Sequence, residues 1–495
     1  MNNNNNAIPT PLVRVFVKGG VISPADLIRI MEASGKAGNS YVMFGSRQDI
    51  LFPVVDSDEE NVRSHLDETG LKYNFTDSQL LKAPLQYENI VSSYVAVNIT
   101  DNTWWLKEDI FHYILDSFDY QPVLKVNIID PIQSLVPLFT GHLNFIASKQ
   151  EHYWHLFIRQ PTENGNKAPT PWPALIHENE IAVIAKEIEK KLKKSPGMNH
   201  RRLFDAVQNG STFHSVTADE EIASPTALFP YYEGLNAMQN NLFWLGLYWR
   251  NNCFDIEFLK DACRLCQETK VGKISITPWK SFIIKGIHPK KRIYWEKLMG
   301  RYGINLRHSS LELNWHLPVM DEEALKLKTY LVRELDQQDI STHGLTFTIK
   351  TNPDMLLFTS VVIEKSSETS GLNGEPLYNI LYARDFNPNH SEYFNFSKHV
   401  EKRQLPTLLI KLSKIYFQQL ATEEPDEIKT VFEKKSSYKQ VSSYQCSNCM
   451  TVYDKKYGAP DSGVKPGTPF DQLPGDYICP LCSSAKTEFI PLVEY

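Results

Sequence analysis

Two stretches of this chain repeat one another, and the repeat constrains most of its architecture. Sliding the sequence on itself by 232 positions lays Leu12–Val17 on Trp244–Trp249, two short apolar strands. The same offset lays Ser23 on Asp255, each a candidate helix N-cap. Ser23 is followed by Pro24 at the first helical position and Asp26 at the third, a strong start signal. Each copy then reads as a helix, a strand, a polar turn and a strand, the turns being Gly45–Asp49 and Thr277–Ser281. Beyond the turns the register slips and resumes. Val95-x-Val97-Asn98 resembles Leu311-x-Leu313-Asn314, and Tyr153-x-x-Leu156-Phe157-x-Arg159 resembles Tyr378-x-x-Leu381-Tyr382-x-Arg384. Each half therefore predicts a β-α-β-β unit leading into a second α/β segment, with closing helices at Glu180–Leu192 and Thr407–Leu420. Matches recurring in the same order imply duplication, hence a pseudo-twofold body with a cleft between its halves.

The remaining bounds come from composition. The 495 residues are ample for several domains, and 42% of them are hydrophobic, enough for a sizeable core. No run approaches the roughly 18 apolar residues of a membrane span. The start, Met1 to Asn6, has neither a basic n-region nor an apolar h-region, so no secretory signal is visible and a cytoplasmic location is expected. A net charge of -6 gives no general reason to expect nucleic acid as a partner.

Seven cysteines are distributed unevenly: Cys253, Cys263 and Cys266, then Cys446, Cys449, Cys479 and Cys482. Leu259, Ala262, Cys263 and Cys266 follow i, i+3, i+4, i+7 spacing, and the repeat puts Leu27, Ile30, Met31 and Ser34 at the equivalent positions. Cys263 and Cys266 thus read as core residues, where cysteine behaves as a small hydrophobe. The last four form two Cys-x-x-Cys pairs, which in a reducing compartment point to a metal before a disulfide. Four thiolates in tetrahedral array select zinc or iron. Zinc ribbons separate such pairs by about 15–20 residues; here the gap is 29.

The motifs carry two family resemblances. Val15-Phe-Val-Lys-Gly-Gly20 through Phe44-Gly-Ser-Arg-Gln-Asp-Ile-Leu-Phe52 resembles the ferredoxin-like half-domain of nitrite and sulfite reductases. Ile276-Thr-Pro-Trp-Lys-Ser-Phe-Ile-Ile-Lys-Gly-Ile287 resembles a second copy, as in that superfamily, precorrin-3B synthases included. The likeness extends over about residues 10–420. It implies a siroheme cleft in which Arg47, in the first turn, meets a tetrapyrrole carboxylate. Lys280 is basic in the second turn, and Lys125 matches the first of two substrate lysines, with Asn127 at the second. The bland alternative is that such turn cations are solvated or paired with a neighbouring carboxylate. The family's four cluster cysteines follow its second half-domain, whereas no cysteine occurs here between Cys266 and Cys446. That argues against a four-iron cluster and, with it, against siroheme.

The tail resembles a rubredoxin over about residues 443–491, through Tyr444-x-Cys-x-x-Cys, Tyr453-Asp, Pro466-Gly-Thr-x-Phe470 and Leu473-Pro-x-Asp-Tyr-x-Cys-Pro-x-Cys482. Tyr444, Tyr453, Phe470, Tyr477 and Phe489 are the expected aromatic core. Three positions depart: Met450 and Ser483 stand where the family commonly has glycine, and Tyr477 replaces the more usual tryptophan. The resemblance implies one iron ion, Fe2+ or Fe3+, held by Cys446, Cys449, Cys479 and Cys482.

The expected fold is therefore α/β (α+β): an internally duplicated nitrite/sulfite reductase-like body with a small C-terminal rubredoxin-like iron domain. Its expected parts are a disordered head (1–10), half-domain 1 (11–90), siroheme-type α/β segment 1 (91–235), half-domain 2 (240–300), α/β segment 2 (301–420), a polar linker (421–443) and the iron domain (444–495). The expected function is one-electron transfer on a degenerate reductase scaffold serving nitrogen or sulfur assimilation, with no catalytic residue assigned. Its partners are redox proteins, a reductase donor and a terminal acceptor enzyme. Two alternatives stay open: a tetrapyrrole-binding nitrite or sulfite reductase-like enzyme fed by the tail, and a zinc-stabilised adaptor.

Overall fold

The computed structural model describes residues 11–55, 58–76, 87–99, 105–161, 168–210, 213–218, 222, 233–238, 241–304, 312–340, 342–351, 355–369, 374–422 and 443–491. The head at 1–10 and nearly all of the expected linker lie outside these residues. Two compact units emerge, Met1–Tyr416 and Phe417–Tyr495.

In the larger unit the predicted repeat is visible strand by strand. One five-stranded sheet runs Phe254–Asp255, Tyr41–Phe44, Asp49–Pro53, Leu12–Phe16, Tyr73–Thr76. Another runs Gly234–Met238, Leu242–Tyr248, Ser281–Ile287, Ile274–Thr277, Val21–Ile22. Each sheet therefore receives one short strand from the other half. Ile22 pairs with Ile274, and Phe254 with Val42. Both exchanges obey the same offset of 232, so the two halves are related by a pseudo-twofold and close one core between them. The helices Pro24–Lys36 and Ile256–Thr269 begin at the predicted caps: Ser23 Oγ accepts from the Asp26 N–H at 3.1 Å, and Asp255 Oδ1 from the Phe258 N–H at 2.7 Å. Cys263 and Cys266 are fully buried in the shared core, as their spacing predicts, and burial pushes the Cys263 thiol up to about 12.

Two larger sheets follow the half-domains. The first includes Val91–Ser92, Val126–Ile129 and Leu143–Ala147 in parallel, with Tyr153–Ile158, Ala174–His177 and Ser215–Thr217 added antiparallel. The second runs Trp315–His316, Phe347–Lys350, Val361–Thr369, Pro376–Ala383, Tyr393–Glu401, again parallel first and antiparallel after. Helices Ile181–Lys194 and Leu405–Thr422 stand where the two closing helices were expected.

The sequence register between these sheets is corrected. Leu156 pairs with Phe145 and packs in the helix-covered core of its sheet. Leu381 pairs with Val362 on the opposite face, and Ile380, paired with Ile363, is the residue in the helix-covered core. The equivalent of Leu156 is thus Ile380, one position earlier, because a one-residue slip exchanges the faces of a strand. Likewise Val95 lies in a 3-10 turn, Ser93–Ala96, and the strand that opens the first large sheet is Val91–Ser92.

The smaller unit holds a three-stranded sheet ordered Val452–Asp454, Ser443–Cys446, Phe489–Pro491. All five expected aromatics contribute, with Tyr444 and Phe470 stacked at 4.0 Å and Phe470 5.3 Å from Phe489.

Candidate metal centre and the cleft residues

Two tight turns, each opened by a buried cysteine, bring the tail's four thiols together. Met450 N–H donates to the Cys446 carbonyl and Cys446 N–H to that of Thr451, both at 2.9 Å. The second turn repeats this: Ser483 N–H to Cys479 at 2.9 Å, Cys479 N–H to Ser484 at 2.8 Å. Closing each turn requires a left-handed residue, and Met450 (φ 62°) and Ser483 (φ 59°) supply it without being glycine. All four Sγ atoms lie within 4.8 Å of one another. Cys446 and Cys482 are 3.6 Å apart and Cys449 and Cys479 3.4 Å, against about 3.8 Å for a tetrahedron of 2.3 Å metal–sulfur bonds. The donor set therefore fits a single tetrahedral ion.

The turns also prepare the sulfurs for negative charge. Burial raises the Cys479 thiol, but the backbone N–H groups of Cys482 and Leu481 outweigh it and pull it down to about 6. For Cys446 burial is likewise outweighed, by the N–H groups of Cys449 and Asn448. Two hydroxyls complete the array: Thr451 Oγ1 is 3.0 Å from Cys449 Sγ, and Ser484 Oγ 3.0 Å from Cys482 Sγ. Sequence reasoning missed this pair, although the signal was present as a hydroxyl residue two places after each Cys-x-x-Cys. The inner sulfurs, Cys446 and Cys479, are buried, while Cys449 is half-buried and Cys482 exposed.

Comparison with known proteins separates the two units. Residues 443–489 match the family described as "Rubredoxin". "Rubredoxin 4" of Rhodococcus sp. (strain Q15) is 46% identical over 46 residues, which are 9% of this chain and 77% of that protein. The chain belongs to the rubredoxin family. The rubredoxin domain is also 44% identical over 57 residues to the "High molecular weight rubredoxin" of Moorella thermoacetica, covering 12% of this chain and only 25% of that protein. At the other end, residues 11–68 match the "Nitrite/Sulfite reductase ferredoxin-like half domain". The solved "Structure of Mycobacterium tuberculosis NirA protein" superposes with a TM-score of 0.62 at 14% identity, covering 84% of each chain, a likeness of fold.

Because the left-handed turn residues of the rubredoxin domain carry side chains, Met450→Gly and Ser483→Gly are expected to relieve strain of about 1 kcal/mol each. Thermal melts of the metal-loaded protein check this: the tail transition should rise, and an unchanged or lower transition would contradict the strain.

Of the residues expected to line a cleft, Arg47 is buried. Its Nη1 donates to Asn127 Oδ1 at 2.6 Å and to the Thr140 carbonyl at 3.4 Å. Its Nη2 donates to the carbonyls of Asn89 and Val126 at 2.7 and 2.8 Å. Asn127, at the place of a second substrate lysine, is thus a partner of Arg47, and bonds Thr140 Oγ1 at 2.8 Å besides. Burial lowers the Arg47 guanidinium to about 10, so it is still charged at neutral pH.

Lys125 belongs to the same charge cluster; burial lowers it, with Glu88 opposing. Lys280 sits at φ 58° in the second turn, donates to the Leu317 carbonyl, and lines a cavity that neither Arg47 nor Lys125 lines. On the offset of 232, Arg47 corresponds to Trp279, and Lys280 to Gln48, which shares its φ of 58°. Arg159 is buried and donates to the Phe139 carbonyl at 2.9 Å, whereas Arg384 is exposed and pairs with Glu392 at 2.8 Å. The two occupy dissimilar environments.

Glu88 gives this cluster a pH dependence. Burial raises its carboxyl, but Arg14, 2.8 Å away, with Lys125 and Arg47, outweighs burial and holds it at about 2. A depressed carboxylate stabilises fully above its unfolded pKa, about 4.3, and loses that contribution as pH falls through the folded value. Glu88→Gln is therefore expected to be less stable than the parent at pH 6, and the two to converge near pH 2. Denaturant midpoints across that range check it, and a gap that is constant with pH would sink it.

Proposed function

We propose that this protein is a one-electron carrier whose rubredoxin domain holds a single iron through Cys446, Cys449, Cys479 and Cys482. The observation that carries the reading is the closed tetrathiolate set within a family match that includes the aromatic core. When bound, iron supplies a one-electron Fe2+/Fe3+ couple. The chain's part is to supply four thiolates that would fill its coordination shell, so that no substrate could bind to it. Cys449 and Cys482, the less buried ligands, are the exit toward a redox partner, and the two hydroxyls at 3.0 Å stabilise charge on those sulfurs.

The body, on this reading, is a docking scaffold descended from a nitrite/sulfite reductase-like fold. Support comes from Arg47, whose terminal nitrogens are committed to internal acceptors, and from the lack of cysteines between Cys266 and Cys446. A donor reductase and a terminal acceptor in cytoplasmic nitrogen or sulfur assimilation follow from the partnership of folds. No helix among the described residues is long and apolar enough to cross a membrane.

The test is the visible spectrum of protein purified anaerobically from its native host and titrated with reductant. Thiolate-to-iron charge-transfer bands that bleach with one electron per chain are expected. Tetrapyrrole bands would move the function to the enzyme alternative. A featureless spectrum with stoichiometric zinc would end both redox readings.

A further inference from the structure

Lys280 lies in the floor of a half-open cavity of about 210 Å³ in the larger unit. Buried Met43, Trp279 and Trp315 share the floor, while exposed Asn251, Met320 and Glu322 line the mouth. The charges around it are settled internally with one exception. Lys328 pairs with Glu312 at 2.6 Å, and Glu322 with Lys326 at 3.2 Å. Asp321 accepts from the Ala324 N–H at 2.8 Å and from the Thr351 hydroxyl. Lys280, only 7% exposed, has a single carbonyl acceptor, that of Leu317, and no carboxylate within ion-pair distance among the described residues.

An ammonium buried with one neutral partner is costly: burial lowers Lys280 to about 7, with Asp49 opposing and Lys328 adding to the fall, and a bound anion would offset that cost. Flat aromatic walls, Trp279 and Trp315 with Tyr41 and Tyr248, favour a planar apolar body. Size narrows the class further. A drug-sized pocket is about 300–1,000 Å³, and a dry cavity of about 150 Å³ already takes benzene. The enclosed part of this space admits one aromatic ring with a carboxylate.

We infer that the Lys280 cavity is a binding site for a small planar monocarboxylate, its carboxylate on Lys280 and its ring between Trp279 and Trp315. The inference does not depend on the redox reading of the tail. It also leaves Arg47 and Lys125 out of the site.

Titration of the full, metal-loaded chain with benzoate, followed by calorimetry and tryptophan fluorescence, tests it. Saturable one-to-one binding is expected, with neutral benzamide weaker by about tenfold or more, the worth of a charge-assisted hydrogen bond. Lys280→Gln should weaken benzoate by a similar factor. The fold should accept that change, since Gln48 occupies the equivalent turn at the same φ. Lys280→Arg keeps the charge and should retain binding, so the proposal stays testable even if the glutamine variant does not fold. Absence of saturable benzoate binding to the parent, equal affinity for benzamide, or parent-like affinity in a folded Lys280→Gln protein would each overturn it.

Discussion

Cys479→Ser is expected to abolish both the colour and the fold of the tail while leaving the larger unit intact. The tail core is small: Tyr453, Val464, Leu473, Tyr477 and Phe489, closed by Cys446 and Cys479 themselves. Domains of this size rarely bury enough apolar surface to offset their conformational entropy without a staple. In small metal domains the ion supplies that staple, worth about 10–16 kcal/mol for structural zinc. Removing one inner thiolate opens the coordination shell and leaves the N–H groups of Leu481 and Cys482 without the sulfur they face. Calorimetry of the parent should show two transitions, and of Cys479→Ser only that of the body, with iron per chain near zero. Cys263→Ser is the contrasting variant. It should keep the tail's iron and colour but lower the body transition, since a hydroxyl replaces a fully buried thiol. Iron retained at full stoichiometry by Cys479→Ser would refute the four-thiolate site.

The half-domains were legible in the sequence because their signals are local and repeated. Ser23 and Asp255 cap helices in both copies, and the offset that found them also relates the two exchanged pairs, Ile22–Ile274 and Val42–Phe254, to one another, although the exchange itself left no mark in the sequence. The large sheets were less legible for a physical reason. Tyr153–Ile158 and Pro376–Ala383 carry apolar residues on both faces, Leu156 beside Phe157 and Ile380 beside Leu381, so they show no clean apolar/polar alternation to fix a register. A match between apolar strands could then slip by one, as Leu156 against Leu381 did. The four thiols were fully legible, since spacing and intervening turns specify them together. Arg47 was legible as a position but not as an environment. Its partners, Asn89, Val126, Asn127 and Thr140, come from segments that no local pattern ties to the turn.

Arg47→Met is expected to destabilise the larger unit by about 3–5 kcal/mol, the usual cost of stripping one partner from a buried, hydrogen-bonded charge site. The side chain joins the half-domain turn to the first large sheet. Without it the carbonyls of Asn89 and Val126 and the Asn127 amide oxygen lose donors at 2.6–2.8 Å, and each buried acceptor left unsatisfied costs about 1–3 kcal/mol. Glu88 would lose one of the three cations that hold it ionised, which adds to the loss above pH 5. Lys125→Met also takes a cation from Glu88, but one lowered chiefly by burial and without the four acceptors that Arg47 serves, and should cost less. Urea melts that resolve the body transition from the tail's iron colour measure both. The ordering of the two variants is the decisive observation, because it separates a structural staple from a ligand-binding cation. A guanidinium kept for a tetrapyrrole carboxylate would be cheap to remove from the empty protein. A loss under about 1 kcal/mol for Arg47→Met would thus reopen the cleft and favour the enzyme alternative.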